Sequence, residues 1–174
     1  MLLKRSTRKL AFCAAAVALI EGVLLLASIA PSGKLGLCAA SCVLGAAAVL
    51  SCGKLWALLT WIAAGILALL IQPSKSVAIL YCLIGHYPVC KSLFEQFKSR
   101  IPEWICKLAL FYAILFAVYF GLRELFAELF HPPFGLTILV FVIGSAAFVI
   151  FDWALSRLIG FYQQRIGKHL HIDT

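Results

Sequence analysis

Residues 10–30 read LAFCAAAVALIEGVLLLASIA, an apolar run interrupted by one charged side chain, Glu21. As a helix rising about 1.5 Å per residue, such a run crosses the roughly 30 Å hydrocarbon core of a bilayer. Lys4, Arg5, Arg8 and Lys9 precede it and Pro31 follows at once. The basic start and the small residues of Ala27-Ser28-Ile29-Ala30 are shared with secretory signals. However, the run is longer than the about 7 to 15 residues of a signal core, so a retained first span is expected.

Outward from this stretch the pattern repeats. Hydrophobic residues make up 64% of the 174 positions and charged residues 13%, with short polar breaks between apolar runs. Further spans are expected near Leu35 to Leu50, Leu55 to Ile71, Ser76 to Val89, Trp104 to Leu122 and Phe134 to Leu158. The second and fourth are short against the about 20 residues of a full crossing, so they are expected to tilt little, borrow flanking residues or break. The predicted class is all-α: a polytopic transmembrane helical bundle of about six spans. No linker, repeat or low-complexity tract divides it, so residues 1–174 are read as a single integral membrane domain.

The basic residues set its orientation. With the N-terminus inside, Lys4, Arg5, Arg8, Lys9, Lys54, Lys91, Lys98, Arg100, Lys107, Arg157, Arg165 and Lys168 fall on one side of the membrane, and Lys34, Lys75 and Arg123 on the other. An excess of Lys and Arg marks the cytoplasmic face, so an inner-membrane location with both termini cytoplasmic is expected. The formal charge of +8 therefore reads as topology and contact with anionic membrane lipid. A nucleic-acid partner would need a soluble basic surface or a reading motif, and neither is visible.

Two acidic residues fall inside spans. Glu21 lies twelve residues beyond Lys9, about 18 Å along a helix, where a carboxylate needs a partner, a cavity or a proton. Asp152 lies nearer the cytoplasmic end of the last span with Ser156 on its face and Arg157 just beyond, a pattern that predicts interfacial anchoring beside Trp153. Between Pro88 and Pro102, the residues Val89, Leu93, Phe94, Phe97 and Ile101 recur at helical spacing, opposite Lys91, Glu95, Lys98 and Arg100. A short interfacial helix is expected there, between spans four and five, with Lys91 and Glu95 paired and Trp104 marking the return into lipid.

Seven cysteines are present, and most fall in spans or on the cytoplasmic side, where thiols act as small packing groups. Cys38 and Cys42, or His86 and Cys90, share helical faces, but no further ligand completes a metal set. No reaction centre or phosphate-binding glycine loop is recognisable, so the chain is expected to be no enzyme and to hold no cofactor and no metal. His131-Pro132-Pro133 closes an external stretch that carries Arg123, Glu124 and Glu128. Those charges read as an ordinary external loop or as the rim of an outward-facing pocket above Glu21.

Small residues concentrate in the first three spans, and Ala11 with Ala15 and Ala14 with Ala18 lie one helical turn apart. Such faces allow close helix approach, within this bundle or against another membrane subunit. The six short spans, the overall size and the basic start running into the alanine-rich first span resemble the substrate-binding S components of energy-coupling factor transporters, or an uncharacterised bacterial membrane family of similar architecture. The S-component resemblance implies capture of a vitamin-like small molecule or an ion, with Glu21, Arg123 and Glu124 as substrate-binding residues. It also implies that Ala11, Ala14, Ala15 and Ala18 dock on a transmembrane coupling protein driven by cytoplasmic ATPases. The competing reading is a nonenzymatic membrane scaffold or assembly protein that uses the residue 91–107 stretch and the small-residue faces.

Overall fold

The computed structural model describes residues 2–97, 100–118 and 137–165, with side chains for 6–97, 101–118 and 141–162. Among the described residues there are seven helices: α1 (Leu2–Ile29), α2 (Lys34–Cys52), α3 (Lys54–Ile71), α4 (Lys75–Ile84), α5 (Tyr87–Phe94), α6 (Arg100–Phe116) and α7 (Thr137–Arg165). Five stretches are long and apolar enough to cross a membrane: Ser6–Ile29, Lys34–Cys52, Lys54–Ile71, Lys75–Phe94 and Phe141–Tyr162. The chain is an all-α, polytopic membrane helical bundle.

Proline and glycine account for the helix ends. Ala30 closes α1 with a 2.9 Å bond from its N–H to the Leu26 carbonyl, and Pro31 cannot extend the helix. Gln72 is extended at φ −66°, ψ 132°, as the residue before Pro73 must be. Gly53 alone joins α2 to α3. Its N–H reaches the Val49 carbonyl at 3.0 Å while its own carbonyl accepts from Ala57 at 3.1 Å. At φ 96°, ψ 168°, that position favours a residue without Cβ.

The short second and fourth spans resolve differently. The α2 helix extends to 19 residues by taking in Lys34 and Cys52, whereas the fourth crossing breaks. Taken alone, α4 has 10 residues, about 15 Å, and α5 continues it after a turn at Gly85 and His86. A Cβ on Gly85 would stand 2.6 Å from the Tyr81 ring, so glycine lets the ring pack against the turn. The carbonyl of His86 then accepts from Val89 and Cys90 and opens α5, where Pro88 in the first turn needs no donor.

This break corrects the expected boundaries of the short helix after span four. It begins at Tyr87 and ends at Phe94, so Phe97 falls in the following turn and Ile101 in α6. Lys91, expected on a charged outer face, is 1% exposed. The expected fifth span, Trp104 to Leu122, is described only as far as residue 118. The expected start of the last span, Phe134, lies outside the described residues, and α7 runs on past the expected end at Leu158 to Arg165.

The chain forms two compact units, Met1–Leu93 with Leu158–Thr174, and Phe94–Arg157. In the first, α1 to α4 pack mutually through small side chains: Cys13, Ala16 and Ala27 of α1, Cys38, Ser41 and Cys42 of α2, Ala57, Ala64 and Ala68 of α3. Large residues of the same helices point outward, including Leu19, Leu26, Leu55, Ile66 and Leu70. That inversion of the soluble pattern is what a lipid solvent favours, since leucine gains little by leaving acyl chains and close backbone approach gains much. The thiols serve this packing: Cys42 Sγ donates toward the Ile84 carbonyl at 3.5 Å, and Cys82 Sγ toward the Gly65 carbonyl at 3.9 Å.

In the second unit α6 and α7 run antiparallel. Phe111 stacks on Phe148 with centroids 4.7 Å apart, and the Tyr112 hydroxyl meets Ser145 Oγ at 2.9 Å. Further along the same seam, Lys107 pairs with Asp152.

Candidate functional site

Glu21 lies on α1 at the edge of its buried face, two helical turns before Ser28. The parallel helix α3 ends beside them, and its last residues bring in Gln72, which is 1% exposed. The Gln72 amide nitrogen donates to Glu21 Oε2 at 2.9 Å and to the Glu21 carbonyl at 3.2 Å. Its amide oxygen accepts from Ser28 Oγ at 3.1 Å. Both polar atoms of the Gln72 side chain are thus used. Glu21 Oε1, by contrast, is buried without a hydrogen-bond partner.

Helix α4 also packs against α1 in this unit. Two more buried polar atoms without partners, Trp61 Nε1 and His86 Nδ1, belong to rings 5.3 Å apart in the same unit. The arrangement can accept a hydrogen bond from a ligand donor at Glu21 while Gln72 holds the carboxylate in one orientation. Arg123 and Glu124, expected above Glu21, lie outside the described residues.

The alanine positions fall together. Ala11, Ala14, Ala15 and Ala18 are all exposed on one face of α1, while Cys13, Ala16 and Ile20 form its buried face. Gly22 continues the exposed face, and a Cβ there would meet nothing within 4 Å. Elsewhere on the first unit, the exposed large hydrophobic residues are mostly leucine and isoleucine. This face is smooth instead.

Asp152, expected to anchor at the interface, pairs across the seam between α6 and α7. It is 4% exposed and accepts from Lys107 Nζ at 3.1 Å; the Arg157 guanidinium lies 5.2 Å over the Trp153 ring. Lys107 also binds Glu103 at 2.7 Å and approaches Glu95 at 3.8 Å. Cys38 and Cys42 are fully buried packing groups. Among the described residues, no three His, Cys, Asp or Glu side chains are placed to hold a metal ion.

Gln72 and Ser28 were missed from sequence. Ser28 repeats the azimuth of Glu21 after seven residues, and Gln72 ends the next span of like direction, so both carried a readable signal. Comparison with family models, curated proteins and solved structures gives no match for this chain.

Proposed function

We propose that this protein is the substrate-binding integral membrane subunit of a transporter, similar to the S components of energy-coupling factor systems, and itself no enzyme. It captures a vitamin-like small molecule or an ion from outside the inner membrane, with both termini cytoplasmic as the basic residues favour. A separate transmembrane coupling protein docks on Ala11, Ala14, Ala15 and Ala18, and partner ATPases supply the energy.

The observation that carries this reading is the Glu21 carboxyl group, with Oε2 fixed by Gln72 and Oε1 buried without a protein partner inside a span. Ionisable groups at such depth are costly, and they mark substrate and ion sites in membrane proteins. Arg123 and Glu124 complete the site from the outer side in this proposal.

Native purification in mild detergent, with mass spectrometry of bound proteins and metabolites, tests it. A stoichiometric metabolite lost on Glu21→Ala, together with a coupling protein and two ATPases lost on Ala14→Leu/Ala18→Leu, is the expected result. Recovery of neither from folded protein overturns the transporter reading and favours the scaffold.

A further inference from the structure

The second unit carries a groove of ≈ 570 Å³ along α6 and α7, within the roughly 300–1,000 Å³ of small-ligand sites. Its charged lining is three carboxylates, Glu95, Glu103 and Asp152, around one ammonium, Lys107. Trp104 and Trp153 also line it, and Val149 and Ile150 add an apolar side one turn from Asp152. Trp153 is 61% and Ile150 66% exposed, so this side opens outward. The Arg157 guanidinium, held over the Trp153 ring, stands at the edge of the same surface.

We propose that this groove binds one membrane lipid with a zwitterionic headgroup that ends in a primary ammonium. The lining is amphipathic in the same sense as such a lipid. Glu95 and Glu103 offer carboxylate oxygens, each able to accept more than one hydrogen bond, to the lipid ammonium. Arg157 offers its guanidinium to the phosphate. Val149, Ile150 and the Trp153 ring receive the start of an acyl chain, and Glu103 and Trp104 set the groove beside the first turn of α6, where a headgroup meets the helix end.

Headgroup chemistry discriminates among membrane lipids here. A purely anionic headgroup brings no cation to the three carboxylates, whereas a quaternary ammonium brings charge but no N–H to donate. The primary ammonium supplies both.

The test is native mass spectrometry of the full chain, released from micelles that contain equal amounts of phosphatidylethanolamine, phosphatidylcholine and phosphatidylglycerol. Phosphatidylethanolamine is expected to be retained about tenfold over phosphatidylcholine, the factor one charge-assisted hydrogen bond supplies. The preference should fall to near parity in Glu95→Gln/Arg157→Ala, two exposed positions, with an unchanged melting profile confirming the fold. Equal retention of the three lipids, preference for phosphatidylglycerol, or an unchanged preference in the double variant overturns the proposal. So does displacement of the lipid by free ethanolamine at equal concentration, because the apolar wall would then contribute nothing.

Discussion

The helices of the first unit approach one another through alanine, cysteine and glycine, while α6 and α7 of the second are tied by a buried ion pair and a ladder of aromatic rings. Both devices answer the same difficulty. In lipid there is no hydrophobic force between helices, so association must come from close packing or from polar groups that find partners. The first unit spreads its attraction over many weak contacts and concentrates polarity at Gln72. The second depends on a few strong ones, with the Lys107 side chain 3% exposed and that of Asp152 5% exposed.

If that contrast is right, single substitutions should hurt the second unit most. Lys107→Met strands the Asp152 carboxylate and is expected to cost about 3–5 kcal/mol, read from reversible unfolding in mixed micelles. Lys107→Met/Asp152→Leu should recover much of the loss; a double variant as unstable as the single one removes the ion pair as the cause. In the first unit, Gly85→Ala forces a methyl against the buried Tyr81 ring and should cost about 1–3 kcal/mol by the same assay. A neutral result there means that the α4–α5 turn yields.

Smaller effects sharpen the comparison. Gln72→Leu breaks the link from α3 to Glu21 and Ser28 and is expected to cost about 1–2 kcal/mol, in the range of interhelical hydrogen bonds in membranes. A matching loss in Glu21→Ala and no further loss in the double variant would show that the two side chains act as one pair. Smallest of all, Ala14→Leu/Ala18→Leu should change stability by less than about 0.5 kcal/mol, since both positions are exposed. A large loss instead would place those alanines in an internal contact.

Residue order alone revealed what depends on depth along the membrane normal. Apolar run lengths placed both ends of α2 and α3 and the end of α1 within two residues, whereas α1 starts at Leu2, eight residues before the expected span; Pro31 and Pro73 fall just beyond helices α1 and α3. Glu21 was recognised as a polar group at depth. What escaped depends on azimuth between helices distant in sequence: Lys107 facing Asp152 across 45 positions, and Gln72 facing Glu21 across 51. A break in the fourth span was among the expectations, but its place at Gly85 escaped because Pro88, three residues later, is the stronger local signal, while the need for glycine arises from the Tyr81 ring.

The single-residue link at Gly53 bears on how the protein is made. One residue extends at most about 3.6 Å, so the cytoplasmic ends proposed for α2 and α3 remain neighbours from the moment both have been synthesised. This link holds the two adjoining ends together and so favours delivery of residues 34–71 to the bilayer as one hairpin. An insertion tag or a glycosylation sequon placed between Cys52 and Lys54 would therefore report on a disrupted hairpin rather than on sidedness. Reporters for membrane sidedness belong at the wider connections, residues 30–33 and 73–74.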